Sequence, residues 1–227
     1  MKHVLEVCLV AVTLSAPIAV AQSESTPTLR PGISVQMVVA GNSTPMPAAD
    51  QENAQVVTVT DGGGVYLGTD PTAPASLSQK IKEGLSQGQA LYIKADARTP
   101  YANVARVLEA AHIAGVTSPA LLTTQSEPAA PGTIASPRGL EVLLDLPAGA
   151  VATVVELNSS AKAPVLKVNH DQISWPALQS TLMQHFQKGD EKVILVKADA
   201  RASFSDVAHV IDLCRATGAR VVLTPGR

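Results

Sequence analysis

The feature that most constrains the fold of this chain is an internal repeat. Residues 94–98 read Lys-Ala-Asp-Ala-Arg, and the same five residues return at 197–201. The register holds beyond this motif, with matched pairs at Val104/Val207, Ala105/Ala208, Val107/Val210 and Gly115/Gly218, and with Tyr101 aligned with Phe204. Similarity sustained in register over about 25 residues marks a repeated structural unit. The sequence therefore predicts two tandem copies of one small domain.

Each copy carries the same predicted order of elements, β-β-β-α-β-α-β. The predicted strands are residues 32–35, 56–59, 65–67, 90–93 and 120–122 in the first copy, and 139–142, 165–168, 173–175, 193–196 and 220–223 in the second. Alternation of apolar and polar residues indicates half-buried strands. The pattern predicts an α/β protein of the two-layer α+β kind, in which two helices of each copy pack on a mixed β-sheet.

Two helices in each copy are predicted from apolar residues that recur on one helical face. The faces consist of Leu77, Ile81 and Leu85, then Val104, Val107, Leu108 and Ala111, and in the second copy Leu178, Leu182 and Phe186, then Val207, Val210, Ile211 and Cys214. Glycines 115 and 218 are expected to end the second helix of each copy in the left-handed conformation. Cys214 lies on an apolar face, so we expect a buried structural thiol.

The composition supports two folded domains and argues against some function classes. Hydrophobic residues make up 46% of the chain and charged residues 16%, and the net charge is −2. This balance permits a packed core and provides no electrostatic footprint for nucleic acid. The predicted organisation is a signal peptide or short membrane anchor at 1–21, a tether at 22–31, domain 1 at 32–124, a Pro- and Ala-rich linker at 125–137 and domain 2 at 138–227. Residues 40–54 are expected to form an exposed loop.

The amino-terminal segment has two interpretations. Residues 4–21 are largely apolar, follow Lys2, and end in Ala19-Val20-Ala21, which is typical of a secretory signal and its cleavage site. Glu6 fits this interpretation poorly because a carboxylate within an apolar segment is costly in a bilayer and often functional. The alternative is a retained anchor with a buried acid, although the run is at the short end for a membrane span.

The residues after each repeated strand predict a turn into a helix. Asp96 and Asp199 are expected to accept backbone N–H bonds at the helix entry, and Arg98 and Arg201 either bind a ligand or face solvent. In the first copy Thr99 and Pro100 suit the N-cap and the first helical position. In the second, Ser203 and Asp206 resemble a capping box.

No catalytic or metal-binding pattern is visible in the sequence. The histidines at 112, 170, 185 and 209 lack a metal-ligand spacing. No nucleophile is accompanied by a base and an orienting group. We therefore expect neither an enzyme nor a metal or other cofactor.

The repeated segments resemble the ExbD/TolR family. Residues 91–116, LYIKADARTPYANVARVLEAAHIAGV, are similar to the family signature of an apolar strand, a basic-x-Asp step, Pro-Tyr and a helix that ends at Gly-Val. Residues 194–219 are similar, but Ala-Ser-Phe replaces the Pro-Tyr step, and Asp145-Leu146-Pro147 resembles the family's Asp-Leu-Pro. The residues that carry the motif, either structural or partner-binding, are Lys94, Asp96, Arg98, Tyr101, Lys197, Asp199, Arg201 and Phe204.

The resemblance implies a periplasmic protein, either free or anchored in the inner membrane through residues 4–21. Family members work beside an ExbB/TolQ-type membrane protein and drive a TonB/TolA-type transducer with proton flow. Residues 5–10 resemble the family's membrane helix, with Glu6 at the position of the functional acid. The resemblance also leaves open a soluble peptidoglycan-binding or scaffolding module without motor activity. Because family domains pair, we expect the two copies to form a pseudo-dimer within one chain.

Overall fold

The computed structural model describes residues 32–86, 88–124, 136–160, 163–186 and 192–224. Within these ranges the chain forms two mixed β-sheets and four α-helices, divided between two sheet-containing halves. This confirms the predicted fold class of two small α+β units. The predicted segments at 1–21 and 22–31, including Glu6, lie outside the described residues. No helix within the described part of the chain is long and apolar enough to cross a membrane.

The first repeat contains six strands and two helices. They are β1 (Thr44–Pro45), β2 (Gln55–Val59), β3 (Val65–Leu67), β4 (Asp70–Pro71), α1 (Pro74–Gly84), β5 (Leu91–Ala95), α2 (Tyr101–Ile113) and β6 (Ala120–Thr123), with a 3-10 turn at Pro47–Asp50. The strands β2, β5 and β6 run parallel, and β3 pairs antiparallel with β2. Parallel strands need crossover connections, which α1 and α2 supply.

The second repeat follows the same plan. Its elements are β7 (Arg138–Glu141), β8 (Ala152–Asn158), β9 (Val165–Val168), β10 (Asp171–Ile173), α3 (Leu178–His185), β11 (Val193–Ala198), α4 (Phe204–Arg215) and β12 (Arg220–Leu223), with a 3-10 turn at Trp175–Ala177. Here β8, β11 and β12 are the parallel strands. The central strand of each repeat, β5 or β11, leads into the longer helix.

The predicted helical faces form the core. The stripes of α2 and α4 are fully buried, as are Leu77, Ile81, Leu178 and Leu182. Leu85 and Phe186 stand at the C-caps and are only partly buried. Gly115 has φ +89° and Gly218 has φ +76°, which confirms both as left-handed helix stops. Cys214 is a free and fully buried cysteine, as the sequence predicts, and burial raises the pKa of its thiol.

One strand equivalence predicted from the sequence is wrong. The pattern pairs residues 56–59 with 165–168, but the structure places β8 beside β11 in the position that β2 occupies beside β5. Residues 165–168 form β9, which corresponds to β3, and the predicted strand at 173–175 is instead the end of β10 and a 3-10 turn. Short alternating runs identify a half-buried strand, but they do not identify its partner.

The predicted first strands also differ from the structure. Residues 32–35 pair with none of the described strands, whereas β7 joins the sheet of the first repeat, antiparallel to β6. The order of the first sheet is β1-β7-β6-β5-β2-β3-β4, and that of the second is β10-β9-β8-β11-β12. The first repeat thus completes its sheet with a strand that follows the linker in sequence.

Residues 138–144, which we call the connecting strand, hydrogen-bond to both repeats. On one side the backbone N–H of Val142 donates to Pro119 at 3.1 Å, and that of Leu144 donates to Thr117 at 2.9 Å. On the other side Leu143 donates to Val221 at 2.8 Å and accepts from Leu223 at 2.9 Å. Backbone hydrogen bonds therefore link the two sheets.

The segment expected to be an exposed loop is partly buried. Within residues 40–54, Ala49 and Ala54 pack with Tyr92, Ala120 and Leu122 on the face of the first sheet opposite the helices. The sequence is rich in small and polar residues, which typically indicate a surface loop. Here its alanines fit closely against the sheet instead.

Candidate functional site: the joint between the repeats

The repeated motif forms the contact between the two repeats. After β5 and β11 the chain turns into α2 and α4, and these turns lie against each other. We call residues 96–102 and 199–205 together the repeat joint. Its two halves form a short antiparallel contact in which Pro100 bridges to Ser203.

Four backbone hydrogen bonds cross the joint in reciprocal pairs. Tyr101 N–H donates to Ala202 at 2.8 Å, and Phe204 N–H, at the equivalent position, donates to Thr99 at 2.9 Å. In the same way the N–H groups of residues 102 and 205 donate to the carbonyls of residues 200 and 97, both at 2.9 Å. Reciprocal contacts of this kind characterise an isologous interface, as in a two-fold symmetric dimer.

The joint satisfies the exposed ends of two helices. The first N–H groups of a helix have no partner within it, and here the opposite repeat provides carbonyl acceptors. The prediction of Thr99 as the N-cap was wrong by one residue, because Pro100 holds that position and makes no side-chain cap. Thr99 is buried, and its hydroxyl accepts from Asn103 at 2.9 Å. The capping box of α4 is confirmed, since Asp206 N–H donates to the Ser203 hydroxyl at 3.1 Å.

The aromatic pair of the motif is buried at the joint. Tyr101 is 0% and Phe204 1% exposed. The Tyr101 hydroxyl donates to the Thr224 carbonyl, in the other repeat, at 3.2 Å. Burial raises the pKa of this phenol, so it stays protonated as a donor. Phe204 has no hydroxyl and contributes packing alone.

Asp96 is the buried anion of the first turn. Arg98 binds both carboxylate oxygens, with Nε at 2.9 Å and Nη2 at 3.0 Å, and its backbone N–H donates at 3.0 Å. Gln36 N–H donates at 3.1 Å. The Arg98 hydrogen bonds hold the pKa of this carboxyl well below its usual range. The charge is thus fixed by residues on the turn and on the segment that enters the domain.

Asp199 repeats this arrangement in a more open setting. Its side chain is 23% exposed, against 3% for Asp96. Arg201 N–H donates at 2.8 Å, whereas the guanidinium contacts are longer, at 3.3 and 3.4 Å. Hydrogen bonding to Arg201 lowers the pKa of Asp199. The arginines themselves are largely exposed, so each turn presents a cation at the surface.

The motif lysines also differ between the repeats. Lys94 is half-buried, its Nζ donates to the Ile33 carbonyl at 2.9 Å, and burial lowers its pKa. Lys197 is exposed. Residues 32–36 thus contact both Lys94 and Asp96 in the first repeat.

Sequence reasoning missed a second set of contacts between the repeats. The Asp212 carboxylate on α4 accepts N–H bonds from Gly41 at 3.1 Å and Asn42 at 2.7 Å. His112 Nε2 lies 2.9 Å from a carboxylate oxygen of Asp145. The residues of these pairs lie far apart in sequence, and nothing in their local pattern indicates a partner.

The polar side chains of the joint have partners within the protein, both inside and outside the joint, which is the arrangement of a structural interface. Asp96 and Asp199 are paired with arginine, and Tyr101 and Ser203 each have a hydrogen-bond partner. Across the described ranges no cluster of His, Cys, Asp and Glu could hold a metal ion. The turn that follows the repeated motif therefore lies at the contact between the two repeats.

Comparison with known proteins gives the family. The family described as Biopolymer transport protein ExbD/TolR matches residues 7–126 and again residues 141–225. The chain belongs to the ExbD/TolR family. The double match confirms the tandem duplication, and each match contains one copy of the Lys-Ala-Asp-Ala-Arg motif. No curated protein matches the chain.

Proposed function

We propose that this ExbD/TolR protein is a non-enzymatic component of proton-motive-force-linked envelope energy transduction or biopolymer transport. Membership of the family gives the general role, a component of biopolymer transport. The observation that supports the finer proposal most is the reciprocal joint, in which residues 97–102 and 200–205 exchange four hydrogen bonds. In this proposal the periplasmic domains act as a dimer built into one chain.

Fusion of the two copies favours this pairing. A covalent link converts association into an intramolecular event with a high effective concentration. The joint, the connecting strand and the Asp212 contacts all cross the boundary between the repeats. We propose that the pair forms at any protein concentration, so that gel filtration gives one elution volume over a wide dilution range.

The proposed partners are an ExbB/TolQ-type membrane protein and a TonB/TolA-type transducer, with the domains in the periplasm. The family match begins at residue 7, within the apolar run, which supports residues 4–21 as a retained anchor. Glu6, which lies one residue before the match, is then proposed as the acid that carries protons.

The deciding experiment is the amino-terminal sequence and membrane partition of the native protein. An intact Met1 chain in the inner membrane supports the motor. Glu6→Gln should then abolish the proposed proton-motive-force-linked transport in cells. Glu24→Gln, in the tether, is the matched control and should leave function intact. A chain that starts at Gln22 in the soluble fraction contradicts Glu6 as a proton carrier.

The second candidate is a soluble peptidoglycan-binding or scaffolding module. The observation that favours it is the small-residue pattern at Ala19-Val20-Ala21 after a short apolar run, which suits cleavage. Purified sacculi should then retain the soluble protein. Failure to bind sacculi contradicts the peptidoglycan-binding form of this candidate.

A further inference from the structure

The two repeats differ in the residue that lies beside the motif lysine in the sheet. In the first repeat Lys94 is opposite Thr58 on the neighbouring parallel strand β2. In the second, Lys197 is opposite Glu156 on β8, the strand that takes the place of β2. Residues opposite each other on adjacent strands project from the same face of the sheet. The second lysine therefore has a carboxylate residue beside it, whereas the first has a neutral hydroxyl residue.

Lys94 is also less exposed to solvent than its counterpart. It is half-buried, whereas Lys197 is exposed, and burial lowers the pKa of the Lys94 ammonium group. Its Nζ donates to the Ile33 carbonyl at 2.9 Å, although an ammonium group has three N–H bonds to donate. Among the described residues Lys94 forms no ion pair. Because a partly desolvated charge is costly without a counter-charge, an anion beside Lys94 would be stabilised.

Thr58 provides a second hydrogen-bond donor on the same face. Only 2% of this residue is exposed, and its hydroxyl has no hydrogen-bond partner among the residues that the structure describes. Buried hydroxyl groups usually have such a partner. The hydroxyl is not among the fully enclosed polar atoms, and Thr58 lines a recess in the protein surface. A molecule bound in the recess can therefore reach it.

The recess lies on the face of the first sheet opposite the helices, and Lys94 also lines it. It is bounded by residues 32–33 of the entering chain, by Ala49 and Asp50 of the covering segment, and by Gly68 after β3. Its volume is about 120 Å³. One water needs roughly 10–15 Å³ by this kind of measure, so the recess has room for a molecule of several heavy atoms.

The charges around the recess indicate the ligand that it would take. The ammonium and the hydroxyl both donate hydrogen bonds, and a carboxylate accepts them through two oxygens. Glu156 shows that a carboxylate residue suits this place beside the lysine. Asp50 is exposed at the rim and forms no ion pair with Lys94 within the described ranges. Its negative charge opposes a second negative charge on the ligand, which favours a monocarboxylate over a dianion.

We propose that this recess binds a small monocarboxylate, whose oxygens accept hydrogen bonds from Lys94 Nζ and the Thr58 hydroxyl. The ligand supplies to the first repeat the carboxylate that Glu156 supplies to the second. A free organic acid and the carboxyl end of a peptide both present this group. The site lies within one repeat and does not depend on the proposed function.

The test is a titration of the full chain, purified in detergent, with sodium acetate against sodium chloride at equal ionic strength. Nuclear magnetic resonance follows the backbone amides of Thr58 and Lys94 and the pKa of the Lys94 side chain. Acetate should shift both amides with a Kd on the order of 10 mM, as expected of a few hydrogen bonds. It should also raise the pKa of Lys94, because a nearby negative charge favours the charged amine.

Variants of the two lysines and of Thr58 locate the binding. Lys94→Gln should weaken acetate binding by about tenfold or more, because it removes a charged donor. Lys197→Gln is the matched control and should bind acetate like the natural chain. Thr58→Val keeps the shape of the side chain and should weaken binding by about threefold to tenfold. Thr58→Glu places a carboxylate of the chain itself beside the lysine and should prevent acetate binding. Circular dichroism checks that each variant is folded.

Two further ligands distinguish the sources of the carboxylate. If N-acetylalanine binds at least as tightly as acetate, the site accepts the carboxyl end of a peptide. If acetate binds and N-acetylalanine does not, the ligand is a small free acid. N-acetylalanine amide lacks the carboxylate and should not bind.

The rim residue has its own test. Malonate carries two negative charges and should bind more weakly than acetate, because Asp50 repels the second charge. Asp50→Asn should reduce this difference.

Three results would overturn the proposal. They are equal acetate binding by the folded Lys94→Gln variant, equal effects of acetate and chloride on the Thr58 and Lys94 amides, and unchanged acetate binding by the folded Thr58→Glu variant. These measurements use no membrane partner, so their failure leaves the fractionation and Glu6→Gln results unaffected. Failure of those cell experiments likewise leaves the acetate result standing.

Discussion

The Asp-x-Arg turn is built twice in this chain, and its two copies lie in different surroundings. In the first repeat Asp96 is buried beneath Gln36, whose N–H completes its hydrogen bonding. In the second, Asp199 keeps its arginine and a backbone hydrogen bond from Ser159 but remains partly exposed. The comparison shows that an identical local sequence gives the same turn, while the chain that enters each domain determines how strongly the turn is held.

The largest expected effect concerns the strand that the first repeat takes from beyond the linker. A fragment of residues 32–124 should fail to fold, because β6 then exposes an unpaired, apolar edge. A fragment of residues 32–144 includes the connecting strand and should recover a cooperative thermal transition by circular dichroism. Equal stability of the two fragments would show that β7 is not needed by the first repeat.

The two aspartates should differ in their contribution to stability. Asp96→Ala removes the partner of Arg98 and leaves the Gln36 N–H without its acceptor, so we expect a loss of about 2 kcal/mol in the free energy of unfolding. Asp199→Ala should have a smaller effect because water replaces the lost contacts. Urea denaturation measures both, and equal losses would contradict the role of Gln36.

The pH dependence of stability should follow the same order. The pKa of Asp96 is lowered on folding. The contribution of this carboxylate to the free energy of unfolding is therefore complete above its ordinary pKa of about 4, and it is lost as the pH falls toward the pKa in the folded protein. The unfolded chain binds more protons in that range, and stability therefore decreases with acid. Asp96→Asn should flatten the curve below about pH 5 more than Asp199→Asn does. Identical curves for the two variants would be inconsistent with the difference in burial.

The aromatic positions provide a smaller test. Tyr101→Phe keeps the packing and removes the hydrogen bond to the Thr224 carbonyl, at a cost of about 1.5 kcal/mol. Phe204→Tyr is the mirror change and places a hydroxyl in a fully buried position, so it too should destabilise. If Tyr101→Phe has no effect on denaturation, the hydroxyl makes no net contribution across the joint.

The capping box should have the smallest effect. Ser203→Ala removes the cap of α4 and should lower stability by about 1 kcal/mol. Ser205→Ala, two residues further on, is the matched control and should change stability less. Since α2 lacks a side-chain cap, replacing Thr99 by serine should not strengthen that helix. A gain from Thr99→Ser would show that the two helix starts are more alike than their hydrogen bonds indicate.

Local patterns predicted the helices and their buried faces well. The stripes of α2 and α4 and the stops at Gly115 and Gly218 follow from a period of 3.6 residues and from the conformational freedom of glycine. The Ser203 cap followed from a motif of four residues. Features that depend on neighbouring residues in the sequence could therefore be predicted.

Strand pairing and contacts between residues far apart in the chain could not be predicted from the sequence. β8 was missed because its neighbour β9 shows the clearer alternation, and β7 joins a sheet built mostly before the linker. The motif residues of the joint were identified, but their reciprocal bonds were not, because the spacing of a repeat does not show how its copies face each other. No sequence pattern indicated a role for Asp212, because its partners, Gly41 and Asn42, lie far from it in the chain.

The connecting strand has a mechanical consequence. Because residues 138–144 bond to β6 on one side and to β12 on the other, the two domains cannot swing freely about their linker. A load applied to one domain reaches the other through the backbone ladder. Under tension the two domains should either move together as one rigid unit or separate when this strand ruptures in a single step. A force-extension curve of the chain distinguishes these two outcomes.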